Sequence, residues 1–170
     1  MDFGPTPGAT ATLALTICVS SAGTAIQTPP PAGDTMVTLE RTACLGTCPV
    51  YTVSIDALGN VVYEGKRHVR VTGKQTARIS ASRIAEILER AERLRFFDLE
   101  NQYLEADYPD GSKGTVTDLP TTIITLTHAG RSKRIVDYYG APAGLTDLER
   151  LVDEVAGTRQ WVSRDHDEQR

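Results

Sequence analysis

The apolar positions change their period along the chain, and each change marks an element. Met36–Glu40 and Tyr51–Ile55 alternate apolar with small polar residues, the period of half-buried strands. Asp56–Asn60 is rich in turn formers and returns the chain into Val61–Glu64 as a third strand. Gly65 permits a bend, after which His68–Thr72 alternates again and Gly73 closes it.

At Ser80, a predicted N-cap, the period becomes helical: Ile84, Ile87, Leu88, Ala91 and Leu94 share one stripe through Arg95. Glu86 with Arg90 and Glu89 with Arg93 are expected as exposed pairs four residues apart, each contributing about 0.2–0.5 kcal/mol. Phe96 and Phe97 are expected to lock the end of this helix into the core. Periodicity is lost from Leu99 to Asp118, an unusually long loop for a compact domain. Thr121–Thr127 and Lys133–Tyr138 then flank His128–Arg131 as a hairpin. Thr146-Asp147-Leu148-Glu149 reads as a capping box, with Leu148, Leu151, Val152 and Val155 on one helical face and Gly157 at the C-cap.

Strands in runs, each followed by a helix, predict an α+β fold: a two-layer sandwich of an antiparallel sheet with two helices on one face, in the order β-β-β-(β)-α-β-β-α. The uncovered face or its rim is where a partner would dock. A chain of 170 residues, 40% hydrophobic and 24% charged, suits one soluble domain with a real core. The net charge of -4 gives no global attraction to phosphate, so no nucleic-acid partner is expected.

Ala9–Val19 is apolar, uncharged and of the length of a signal-peptide core, and the small residues Ser20–Ala25 suit a cleavage site. It falls short of the roughly 20 residues that span a bilayer. Met1–Gly8 lacks the usual positive anchor, and the competing reading is a retained, disordered tail. Leu15-Thr16-Ile17-Cys18 faintly resembles a lipoprotein signal; lipidation of Cys18 is the one route to peripheral membrane association. The domain plan is a signal peptide or tail over 1–25, a Pro-rich linker over 26–35, a single domain over 36–162 and a charged tail over 163–170. This places the protein in the periplasm, the medium or the cell envelope, with an unidentified envelope or extracellular ligand; oligomeric state is left open.

Removal of Cys18 leaves Cys44 and Cys48, an even count that favours a disulfide in an oxidising compartment. Two cysteines four apart in a turn fall within disulfide reach. A redox centre would place its cysteines before a helix, whereas Pro49 leads into a strand. A zinc site needs four ligands, and His68, His128 and His166 are scattered. Buried free thiols remain the bland alternative.

Three further stretches carry candidate chemistry. Lys66–Arg78 holds Lys66, Arg67, Arg70, Lys74 and Arg78 with His68 and no acid. Alternation puts His68 and Arg70 on one strand face, as a surface for an anionic ligand or as a charged edge that resists aggregation. Asp107–Ser112 loosely echoes a calcium loop, but its spacing departs from that pattern and a solvated loop fits better. Asp118 ends the loop, and Tyr138 and Tyr139 line a groove or cover the core rim. No aligned nucleophile and base appear, and no metal or cofactor is expected.

Cys44–Tyr51 (Cys-Leu-Gly-Thr-Cys-Pro-Val-Tyr), Gly59–Gly65, Thr117–Thr122, Asp137–Pro142 and Gly157–Val162 together resemble the bacterial family called domain of unknown function 6438, over roughly Met36–Val162. The resemblance implies an exported or envelope-associated bacterial domain and carries no activity or catalytic residue. The function that fits best is a non-catalytic binding or interaction module, with Cys44, Cys48, Arg67, His68, Arg70, Asp118, Tyr138 and Tyr139 as its candidate residues. The alternative is a thiol-dependent redox or other enzyme using Cys44 and Cys48.

Overall fold

The computed structural model describes residues 1, 2, 4, 33–108 and 110–163, and of Asp107 the backbone alone. The expected signal segment, Cys18, most of the Pro-rich stretch, Pro109 and residues 164–170 lie outside the described residues.

Four antiparallel strands come first: β1 (Met36–Arg41), β2 (Val50–Asp56), β3 (Asn60–Arg67) and β4 (Gly73–Arg78). Helix α1 (Ala81–Arg93) follows, then a 3-10 turn over Phe96–Asp98 and three two-residue strands, β5 (Gln102–Tyr103), β6 (Ala106–Asp107) and β7 (Lys113–Gly114). The hairpin β8 (Thr122–His128) and β9 (Arg131–Asp137) leads into α2 (Ala143–Ala156) and a final turn, α3 (Arg159–Val162). The sheet has seven strands in the order β4-β3-β2-β1-β8-β9-β5, all antiparallel but for β5 against β9. β8 therefore pairs with β1, and the sheet is continuous between the two halves of the chain. This is the expected α+β architecture.

The strand period of two sorts the residues between faces. Val37, Leu39, Val53, Ile55, Ile124 and Leu126 are buried with Ile84, Ile87 and Ala91 of α1 and with Leu145, Leu148 and Val152 of α2. The opposite face presents cross-strand rows such as Ser54–Thr38–Thr125, hydroxyl-bearing and, among the described residues, without a helix over it.

The expected strand at His68–Thr72 does not form. β3 runs on through Gly65 to Arg67, His68 turns the chain at φ 56, and Arg70 N and Val71 N donate to Val162 O and Trp161 O at 3.3 and 2.9 Å. Here a β-carbon on Gly65 would stand 2.1 Å from Val71 O, so glycine is what allows the loop to cross the strand. The fourth strand is the polar Gly73–Arg78 instead.

The helices differ from expectation at their starts. α2 begins after Pro142, so Thr146 and Glu149 lie inside it and form no capping box; Pro142 fits because proline is tolerated where a helix opens. Its end is as expected, with Gly157 in the left-handed region at φ 69. Ser80 occupies the N-cap of α1 without a side-chain cap bond. Arg93 pairs with Glu89 at 3.2 Å as expected, whereas Arg90 meets Asp147 at 3.9 Å and Glu86 binds Arg83, so the expected Glu86–Arg90 pair is replaced by contacts that include the neighbouring helix. Phe96 is 1% exposed and Phe97 packs edge-on against it at 5.7 Å.

Candidate functional site

The candidate site lies at the end of the sheet where β1, β3 and β9 finish and β2 and β8 begin. Its crown is the turn between β1 and β2. Cys44 and Cys48 are joined as a disulfide, with their Cα atoms 5.7 Å apart, inside the usual range. Gly46 N donates to Cys44 O at 2.9 Å within the loop. The turn is also tied to the segment before β8: Thr42 N reaches Thr121 O at 3.0 Å, Thr121 N reaches Thr42 Oγ1 at 2.9 Å, and Leu45 N approaches Asp118 O at 3.4 Å. The Leu45 side chain is left 80% exposed on this fixed base.

Several of the residues singled out from the sequence meet here. His68 Nδ1 lies 3.2 Å from Cys48 O, so the histidine is a strut for the turn rather than a member of a basic strand face. Asp118 is exposed, in the left-handed region at φ 71, and its carbonyl receives Leu45. Leu119 N approaches Tyr138 Oη at 3.4 Å, and Tyr138 N and Tyr139 N both donate to Tyr103 O at 2.9 and 3.2 Å. Arg67 and Arg70 flank this group, exposed to solvent. These contacts build a knitted surface. A cleft of about 600 Å³ lies at the other end of the sheet, among Leu88, Ala91, Phe96, Phe97, Leu126 and Arg131.

Beneath the crown lies a polar network that the sequence did not point to. Arg41, at the end of β1, reaches Thr122 Oγ1 with Nη1 at 2.6 Å and Asp153 Oδ2 with Nη2 at 2.9 Å and Nε at 3.3 Å. Asp153 Oδ1 accepts from Tyr51 Oη at 2.7 Å and from Thr158 Oγ1 at 2.9 Å. Glu149 Oε2 stands 3.5 Å from Arg41 Nη1, and the Glu149 side chain is only 2% exposed. With Asp137 in contact with Glu149, three carboxyls share one guanidinium.

Three carboxylates and one cation in so little water cannot all stay charged. Burial pushes the Glu149 carboxyl up to about 8, with Arg41 pulling it down and Asp137 pushing it further up. Burial likewise raises Asp137, opposed by Arg41 and by a hydrogen bond with Glu149. Of the three carboxyls, Glu149 is the one whose burial favours the protonated form into the neutral range. Its Oε1 is buried without a hydrogen-bond partner among the described residues. Burial, and then the neighbouring Asp153, raise the Tyr51 hydroxyl beyond its ordinary range.

The Glu149 side chain is only 2% exposed, and the disulfide occupies both thiols. No group of three or more His, Cys, Asp or Glu side chains among the described residues is placed to hold a metal ion. The calcium-like loop is closed on itself: Asp110 Oδ1 accepts from Ser112 N at 2.9 Å and Ser112 Oγ at 2.6 Å.

The chain belongs to the family described as domain of unknown function (DUF6438), whose model matches residues 35–156. A comparison with curated proteins found no match.

Proposed function

We propose that this chain is an exported, non-catalytic binding module of a bacterial envelope or its surroundings, and that the disulfide-pinned end of its sheet is the contact surface. The observation that carries the reading is the exposure of large apolar side chains on a fixed base: Leu45 at 80%, Leu119 at 38% and Tyr139 at 40%. Apolar groups held in water by a rigid scaffold favour association, because little conformational freedom is left to lose when a partner covers them. Asp118, Tyr138 and the His68 strut supply polar contacts around them. The Arg41 network acts from below, fixing the strand ends from which the crown rises.

Export is supported by the apolar Ala9–Val19 segment ahead of small residues and by the disulfide, which persists in oxidising compartments. Among the described residues no helix is long and apolar enough to cross a membrane. The thiol-redox alternative has less support, since Cys48 leads through Pro49 into a strand and no helix N-terminus lowers a thiol pKa there.

Two measurements test the reading. Chain recovered from the periplasm of its host should show Cys44 and Cys48 protected from alkylation; a reduced, cytoplasmic pool alone contradicts export. Immobilised wild type should retain an envelope component that a Leu45→Asp, Tyr139→Ala variant of equal thermal stability releases. Identical retention by both proteins removes the crown as the contact surface.

A further inference from the structure

The two edges of the sheet are finished differently. At the β9 edge, β5 pairs with Val136 and Asp137, Asn101 O accepts from Val136 N at 3.0 Å, and Lys133 Nζ reaches the carbonyls of Phe97 and Leu99. β4 is the opposite edge. It pairs with β3 from Asn60↔Arg78 to Gly65↔Gly73, and none of its residues makes a further backbone hydrogen bond among the described residues. In an antiparallel ladder alternate residues aim N–H and C=O away from the partner, so β4 presents an unused row of both.

Charge singles out the same edge. The chain carries a net charge of -4, yet Lys66–Arg78 holds five cations and no acid. The arginines at 83, 90, 93, 95, 131 and 150 each have a carboxylate within 4.0 Å. Lys66, Arg67, Arg70 and Lys74 are exposed and make no ion pair with a described residue, and Arg78 contacts Asn60 Oδ1 at 3.3 Å. Glu64, opposite Lys74 in the register, and Asp56, within electrostatic reach of Arg78, offset part of this charge and leave Lys66, Arg67 and Arg70 without an acidic neighbour among the ion pairs of the described residues.

The geometry points to β4 as the acceptor edge for an extended acidic peptide, which adds to the sheet as a further strand. Lys74, Thr76 and Arg78 alternate on the uncovered face, while Gln75 and Ala77 face the helices between the half-buried Val71 and Ile79. The fitting segment carries acids four residues apart, about 13 Å along the strand. It has a small residue between them, apolar residues at the alternate positions, and a further acid toward Arg67 and Arg70. A second copy of the chain fits badly, since it would set Lys74 and Arg78 against cations of its own. A phosphate polymer would answer the charge and leave the N–H and C=O row unused. This surface adjoins the crown at Arg67 and Arg70 but uses neither Leu45 nor Tyr139, so the two readings stand or fall apart.

The test uses the isotope-labelled full chain and three probes: a capped peptide of sequence EVSVEE, the same peptide N-methylated at alternate residues, and polyphosphate. The plain peptide should give saturable amide shifts and slowed hydrogen exchange confined to Gly73–Arg78. N-methylation should weaken it at least tenfold, as should the Lys74→Glu, Arg78→Glu double variant; Leu45→Asp should leave it unchanged. If the double variant does not fold, the two peptides compared on wild type still decide. Equal binding of the N-methylated peptide, the same shifts from polyphosphate, or no saturable change at β4 overturns the proposal.

Discussion

Arg41 holds Asp153 through two nitrogens, Nη2 at 2.9 Å and Nε at 3.3 Å from the same Oδ2, and so ties the end of a central strand to α2. Removal of the cation would leave Asp153 and Asp137 without their shared counter-charge. Breaking a buried pair on one side costs about 3–5 kcal/mol. Arg41 and Asp153 keep 24% and 20% of their side-chain surface exposed, which puts the expected cost at the low end. Arg41→Met should therefore lower stability in urea by about 3 kcal/mol; a change below about 0.5 kcal/mol would mean the network is not buried as described.

The stripe of α1 gives a second test. Ile87 is 1% exposed and belongs to the core, so Ile87→Ala should cost about 2–5 kcal/mol through lost burial and a residual cavity. Arg93→Ala removes one exposed pair with Glu89 and should cost a few tenths of a kcal/mol. Equal urea midpoints for the two variants would contradict the docking of α1 on the sheet.

The same contrast shows what the sequence could reveal. α1 and the β8–β9 hairpin were legible because a single period runs through each of them. The edge strand Gly73–Arg78 was not, since its exposed polar residues carry no alternation, while the neighbouring His68–Thr72 alternates and yet turns at His68. The crown was legible from its cysteines. The network beneath it was hidden: Glu149 sat in what read as a capping box, and Arg41 and Thr122 are 81 residues apart until β1 pairs with β8. One signal was present, an acid amid the apolar face of Leu145, Leu148 and Val152, a position that demands a partner.

The disulfide closes a short loop, so it shapes the turn more than it stabilises the domain. Chain-entropy arithmetic for so small a loop gives about 2 kcal/mol at most. The Cys44→Ser, Cys48→Ser variant should stay folded, with a urea midpoint only modestly lowered. Its amide exchange should rise at 43–48 and at Leu119, which depends on the turn through Asp118. Unchanged exchange at Leu119 would show that the crown is held without the disulfide.

The protonated Glu149 makes stability depend on pH with a definite sign. Its carboxyl titrates near 8 in the folded protein against an ordinary value of 4.5. Below 4.5 both states hold the proton and folding is unaffected. Between 4.5 and 8 the unfolded chain has released it, so folding takes a proton up and stability falls as pH rises. Above 8 the loss is complete. One proton gives a slope of at most about 1.4 kcal/mol per pH unit. Asp137, also raised by burial, acts in the same direction. Tyr51 is raised as well and titrates only in strong alkali, and Asp56, lowered through Asn60 and Leu58, acts on the acid side of this window. Glu149→Gln replaces the shared proton with an amide N–H that can still donate to Asp137. Urea melts from pH 5.5 to 8 should show wild type losing stability toward alkali and the glutamine variant running flatter and overtaking it by pH 8. Parallel slopes for the two proteins would place the proton elsewhere than on Glu149.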